Sequence, residues 1–268
     1  MDLLVIGCGA IGSSIAAHAQ DDVAMGTVHL FDRYEDKVKF LIRTNRKCKA
    51  AGSVANGLRC ADMVIEAASQ EAVREYAMQV VKARKDLVVM SVGALADNGL
   101  RESLAKEAAA QGVRVIVPSG ACGGFDALAS AKYAEIAEVK LIATKPPKGL
   151  SDAPYVRDNG IDLSSISRPT VIFTGSAREA VRAFPTNVNI AATVSIAGIG
   201  FDRTVVEIVC DPFAKRNVHC LQARGSFGEF KCEFSNVPSP GNPKTSYIAA
   251  LSAIKCISQA NDHGIVVV

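Results

Sequence analysis

A doubly wound parallel α/β sheet, followed by a second α+β domain built on a mixed or antiparallel sheet, is the fold class that this 268-residue sequence predicts. Three observations carry the prediction. Short apolar runs alternate with helix-compatible runs as far as Pro118. The pattern G-x-G-x-x-G stands directly behind the first apolar run, at Gly7-Cys8-Gly9-Ala10-Ile11-Gly12. Beyond Pro118, segments that alternate residue by residue follow one another at short separations. Strand, helix and strand at a regular pitch predict a parallel sheet with helices on both faces, whereas closely spaced alternating strands predict an antiparallel or mixed sheet. The expected domains are 1–120 and 121–243, with a closing helix over 244–260 that could return to pack on the first domain.

In order, LLVIG (3–7) is the first strand and AIGSSIAAHAQ its helix. VHLFD (28–32) and MVIEAA (63–68) are the next strands, and Ser69 is placed to cap the helix QEAVREYAMQVVKAR. LVVMS (87–91) leads to a helix around RESLAKEAAAQ that Gly112 ends, and VRVIVP (113–118) closes the first set. PSGACGGFDALASAKYAEI then reads as a loop feeding a helix, and VKLIATKPP as a strand. TVIFTG, TVVEIVC, NVHCLQA and EFKCEF read as alternating strands, NVNIAATVSIAG as a buried helix, NVPSPGNPKTS as a rigid loop, and YIAALSAIKCISQA as an amphipathic closing helix.

Composition narrows the partners. A net charge of +3 without a basic block argues against nucleic acid, and no apolar run approaches the roughly 18 residues of a membrane helix. The start MDLLVIGCG lacks a basic n-region and reads as a strand rather than a signal peptide, so a cytoplasmic location is expected. The eight cysteines form no C-x-x-C pair, so no metal site is expected and most should be small buried hydrophobes with reduced thiols.

The glycine motif is a weak signal alone, but here it follows a strand and opens a helix, the context of a Rossmann dinucleotide-binding domain. Gly7 permits the tight turn, Gly9 lets backbone approach a pyrophosphate, and Gly12 allows close helix–strand packing, with Ala10 and Ile11 at the helix start. Asp32, 20 residues beyond Gly12, stands where a carboxylate would bind the adenosine ribose. Asp32 favours NAD, while the adjacent Arg33 leaves NADP open.

Three later regions are more specific: PSGACGGFDAL (118–128), FPTNVNIAATVSIAG (184–198), and NVHC (217–220) together with NVPSPGNPKTSYIAALSAI (236–254). With the glycine motif, they make the chain resemble the L-aspartate dehydrogenase family from first strand to closing helix. Members of that family interconvert L-aspartate and iminoaspartate, or oxaloacetate plus ammonia. The resemblance implies NAD or NADP as cofactor, a homodimer, and a link to the route from aspartate to quinolinate that feeds NAD biosynthesis. It places the family's nicotinamide-contacting alanine on Ala121, its asparagine on Asn187 with Asn189 close behind, and its active-site histidine on His219. Cys122 and Phe125 depart from the aliphatic residues expected in that loop.

Amino-acid oxidation needs a group that removes a proton from the amine and later activates water, and an imidazole titrating near neutral pH suits both steps. His219 is the candidate, against the alternative of a hydrogen-bonded ring in a sheet; His18, His29 and His263 read as structural or solvated. For the substrate's carboxylates, Lys244 is the first choice, with Thr245 and Ser246 as donors at a helix start. Ser119 and Gly120 lie at the carboxyl end of a parallel strand, where open α/β sheets bind ligands. Arg168, Arg216 and Lys145 are weaker options for the same carboxylates, each more often a solvated charge. Two alternatives stand beside this reading: a two-domain oxidoreductase of the homoserine dehydrogenase or dihydrodipicolinate reductase type, and a non-catalytic NAD(H) sensor.

Overall fold

A computed structural model describes residues 1–185, 189–239 and 242–260, which divide into two compact units. Met1–Pro118 with Pro240–Asn242 and the segment from Ala249 form one, and Ser119–Ser239 with Pro243–Ile248 form the other.

The first unit is built on six parallel strands: β1 (Leu3–Ile6), β2 (Val28–Phe31), β3 (Cys48–Ala50), β4 (Met63–Glu66), β5 (Asp86–Val89) and β6 (Val115–Ile116). Their spatial order is β3-β2-β1-β4-β5-β6. The helices between them are α1 (Ala10–Ala19), α2 (Glu35–Thr44), α3 (Val54–Cys60), α4 (Gln70–Lys82) and α5 (Asn98–Gln111). Buried on both faces, β1 and β4 can be apolar at consecutive positions, as Leu3–Ile6 are. Local signals fix the helix ends: the Ser69 hydroxyl accepts from the Ala72 N–H at 3.2 Å to start α4, and Gly112, at φ +68°, ends α5. The short edge strand β3 carries one buried residue, Cys48, which is too little pattern to mark it as a strand in the sequence.

The second unit holds α6 (Phe125–Ala131), β7 (Ile136–Lys145), α7 (Pro154–Asp158), β8 (Thr170–Ser176), α8 (Ala177–Ala183), α9 (Asn189–Ala197), β9 (Val205–Cys210), β10 (Asn217–Gly225) and β11 (Gly228–Asn236). Its five strands lie in the order β11-β10-β7-β9-β8. The sheet is mixed: β7 and β9 run parallel, and the other neighbours pair antiparallel. Tyr155, Phe173 and the fully buried Phe184 stack in its core with centroids 5.3–5.4 Å apart. A capping box between Ser176 and Glu179 starts α8.

The segment expected to be a loop and then a helix from 244 instead forms a short ribbon, β12 (Pro238–Ser239) with β13 (Asn242–Ser246), and α10 begins at Tyr247 and runs to Gln259. Pro243, which has no N–H, cannot supply a ladder hydrogen bond, yet the strand accommodates it. Ala253, Ile254 and Ile257 of α10 pack with Leu3, Val5, Ile65 and Val88 in the core of the first unit. No described helix is long and apolar enough to cross a membrane.

Candidate active site

In the first unit, strand order reverses between β1 and β4, so the loops behind these strands flank the crevice in which open α/β sheets bind ligands. Gly7 stands at φ +107°, and a Cβ there would lie 2.6 Å from the Ala67 carbonyl oxygen; a Cβ at Gly12 would run into the Gly7 carbonyl. Gly9, the N-cap of α1, has nothing within 4 Å of where a Cβ would stand, so its backbone is open to approach. Ala10, Ile11 and Gly12 form the first turn of α1, whose leading N–H groups lack acceptors within the helix. Asp32 is held by two backbone donors, Cys8 N–H to Oδ2 at 2.8 Å and Tyr34 N–H to Oδ1 at 2.9 Å. Open backbone at Gly9, a helix N-terminus and a fixed carboxylate together fit a dinucleotide; Arg33 follows on the same stretch.

Glu66, the last residue of β4, belongs to no motif in the sequence and is 2% exposed. Its Oε1 accepts from the N–H groups of Ala68 and Ser69 at 2.8 and 2.9 Å and from the Ser91 hydroxyl at 2.9 Å, and its Oε2 accepts from the Ser91 N–H at 3.0 Å. Burial pushes this carboxyl above the ordinary range while the donors pull it back. The loop it holds is the one on which Gly7 packs.

The second unit assembles a buried polar cluster. His219 pairs with Phe234 on β11 and Ala143 on β7, and Asn217 pairs with Asn236. Because side chains alternate, Asn217 and His219 share a face with Ala143, Lys145, Phe234 and Asn236. Asn217, His219, Asn236 and Lys145 are all buried. The Asn236 amide donates to the Ala121 carbonyl at 2.9 Å and lies 3.2 Å from His219 Nδ1. Glycines bring Ala121 there: Gly120 and Gly124 have φ of +64° and +80°, and a Cβ at Gly123 would strike the Phe234 ring.

Burial, with a smaller push from the Lys145 charge, lowers His219 to about 3, and hydrogen bonding to the Ala121 carbonyl offsets this in part. The expectation of an imidazole titrating near neutral pH is therefore corrected: full burial keeps the ring neutral. Lys145, read as a solvated charge, is 5% exposed, and burial lowers it to about 8. Arg168 and Arg216 are exposed, as expected.

Comparisons with known proteins agree with both units. Residues 126–260 match the family described as aspartate dehydrogenase, C-terminal, and residues 7–118 match the homoserine dehydrogenase NAD-binding domain. An L-aspartate dehydrogenase of Methanosarcina barkeri is 46% identical over 95% of each chain. One of Acinetobacter baumannii is 36% identical over 94% of this chain and 95% of its own. The chain belongs to the L-aspartate dehydrogenase family. The crystal structure of aspartate dehydrogenase from Thermotoga maritima covers 100% of this chain and 99% of its own with a TM-score of 0.79 at 27% identity. A homoserine dehydrogenase from Thiobacillus denitrificans, at 15% identity and a TM-score of 0.59, shares the fold alone.

For this member of the aspartate dehydrogenase family, the remaining expected site residues fall as follows. Ser119 is exposed and Gly120 half-buried, with a Cβ at Gly120 placed 2.9 Å from Ile190 Cδ1. Asn189 opens α9, and its carbonyl accepts from the Thr193 hydroxyl at 3.2 Å. Thr245 is half-buried and Ser246 buried, but both belong to β13, so they are not the helix-start donors expected. Asn187, His263 and the Lys244 side chain lie outside the described residues. His18 faces Asp22 at 3.5 Å on the surface of α1, and His29 is part of β2. Asn217 and Asn236 carry no signal of their own in the sequence, although one stands two residues from His219 and the other two residues from the inward Phe234, on alternating strands; Lys145 stands two residues from Ala143 in the same way.

Proposed function

We propose that the protein catalyses the NAD- or NADP-dependent oxidative deamination of L-aspartate to iminoaspartate, which water converts to oxaloacetate and ammonia, and the reverse amination. The observation that carries this reading is the buried cluster around His219, because a sheet built only to dimerise has no need of an imidazole, two amides and an ammonium on one inward face. When bound, the nicotinamide supplies the acceptor for the hydride from C2 of the substrate. The protein's own tasks are to bind, orient and manage protons.

In this reading Gly7, Gly9, Ala10, Ile11 and Gly12 cradle the pyrophosphate, and Asp32 binds the adenosine ribose, with Arg33 beside it for a 2′-phosphate. Ala121 and Asn187 contact the nicotinamide, and Ser119, Gly120, Asn189, Lys244, Thr245 and Ser246 serve the substrate. His219 takes a proton from the substrate's ammonium, which frees the nitrogen lone pair that forms the C=N bond as hydride departs. Once that proton has passed on to solvent, the neutral ring takes a second one from the water that attacks the imine carbon. Both steps need a ring nitrogen with an open lone pair, so the other nitrogen carries its proton toward the Ala121 carbonyl, the acceptor that Asn236 also holds. A ring kept neutral by burial is in its proton-accepting form throughout the neutral range. We further propose a cytoplasmic homodimer whose product feeds NAD biosynthesis.

Oxidation of NADH and NADPH is measured with oxaloacetate plus ammonium and with oxaloacetate alone. Ammonium-dependent oxidation is expected, and the preferred nucleotide shows whether Asp32 or Arg33 governs cofactor choice. Oxidation without ammonium points to a hydroxy-acid dehydrogenase, and bound cofactor with no oxidation points to a related reductase or a sensor.

A further inference from the structure

Lys145 carries no part of the function proposed above. It is the last residue of β7, two positions beyond Ala143, which pairs with His219, so Lys145 is the diagonal neighbour of His219 on the inward face. On its other side Lys145 pairs with Cys210 of β9, a buried thiol. Lys145 thus shares its inward face with Cys210, Ala143, Asn217 and His219, and its charge is felt at the imidazole. Lys145 is engaged within the fold, and an ammonium held inward at this point is a charge removed from most of its hydration.

The substrate carries two carboxylates, and among the described residues of the cluster Lys145 is the one with a full positive charge; Asn217 and Asn236 offer amide donors and His219 a neutral ring. We propose that the Lys145 ammonium receives a carboxylate of the substrate beside His219. The inference rests on the function proposed above. A carboxylate placed there would cancel the charge that Lys145 exerts on the imidazole, so the substrate itself would strengthen the base that acts on it. Lys145 remains largely protonated at neutral pH, with burial lowering it to about 8, as an anion anchor requires.

The test uses the full chain saturated with NADH and titrated with succinate, a dicarboxylate that has no amine or keto group to react. Succinate affinity is read by calorimetry, and KM and kcat for L-aspartate by turnover, in wild type, Lys145→Met and Lys145→Arg. Lys145→Met is expected to weaken succinate and raise the aspartate KM by roughly 10–100-fold, the usual worth of a charge-assisted contact, with NADH affinity unchanged. Lys145→Arg should recover part of the loss and serves if the methionine variant fails to fold. Wild-type succinate affinity and KM in Lys145→Met overturn the inference. So does a loss confined to kcat together with the basic limb of the pH profile, which would make Lys145 a proton carrier. A wild-type protein that does not turn over aspartate sinks the proposed function and this inference together, whereas turnover with an indifferent Lys145→Met sinks this one alone.

Discussion

Replacing Glu66 with glutamine changes one oxygen for an amide nitrogen at a site where the surrounding groups donate. Three donors converge on Oε1, and the Ser91 N–H points at Oε2 from 3.0 Å. Glutamine can keep its oxygen toward the three, but its NH₂ then faces the Ser91 N–H, donor against donor. Losing that bond in a buried place costs about 1–3 kcal/mol. Glu66→Leu removes every acceptor and leaves the N–H groups of Ala68, Ser69 and Ser91 with none, which we put at about 3–5 kcal/mol once local relaxation and water recover part of the loss. Because the 67–68 peptide is the surface on which Gly7 packs without room for a Cβ, part of the cost should appear at the glycine loop. Two measurements follow the change: amide exchange at residues 68, 69 and 91, which reports opening of these loops directly, and NADH binding by fluorescence. Glu66→Gln should exchange faster at all three amides and weaken NADH up to about tenfold for each 1.4 kcal/mol transmitted. Unchanged exchange and unchanged NADH affinity would refute the claim that this carboxylate holds the cofactor loop.

Three further outcomes are expected. His219→Ala should lower turnover by about 10²–10⁴-fold with NADH affinity unchanged, the worth of a positioned acid–base group, and parallel loss of NADH binding would make the residue structural. Asp32→Ala should weaken NAD binding far more than it alters the KM for aspartate, since its carboxylate belongs to the first unit's loop; equal effects on both would contradict the assignment. Because His219 is lowered to about 3 in the fold, the unfolded chain binds the extra proton between pH 6.5 and 3. Stability due to this group is therefore complete above pH 6.5 and is lost as pH falls, by at most about 1.4 kcal/mol per pH unit. Urea unfolding of wild type and His219→Leu at pH 7 and pH 5 should show a smaller acid loss in the variant.

The first unit was legible because its signals are local. Apolar runs, the Ser69 cap, the Gly112 stop and the spacing from Gly12 to Asp32 all act within a few residues of one another or across one βαβ unit. β3 was not legible, since an edge strand with a single buried residue has no pattern to read. In the second unit the alternation of β7, β10 and β11 could be read, but not which strands are neighbours. Lys145 looks like an ordinary surface lysine until the register of β7 against β10 sets it diagonal to His219. Asn236 likewise gains its meaning from pairing with Asn217 and from a loop 115 residues earlier in the chain, whose Ala121 carbonyl it holds. The ribbon of β12 and β13 replaced an expected loop because proline-rich sequence suggests a loop more readily than a strand.

The hairpin of β10 and β11 behaves as a ruler. It is zeroed at its turn, where Gly225 faces Gly228 across Ser226 and Phe227, and it is read at its far end, where Asn217 faces Asn236. Eight residues of strand separate the two ends, about 27 Å at the usual rise. Gly228, at φ +106°, holds the zero in a backbone conformation that other residues resist. One residue added at this turn, with the turn itself kept at two residues, would slide β11 along its partner and turn Asn236 away from the imidazole, with Ser235 in its place. The length of a two-residue turn at the opposite end of the hairpin would then decide whether a histidine in mid-sheet keeps its amide neighbour.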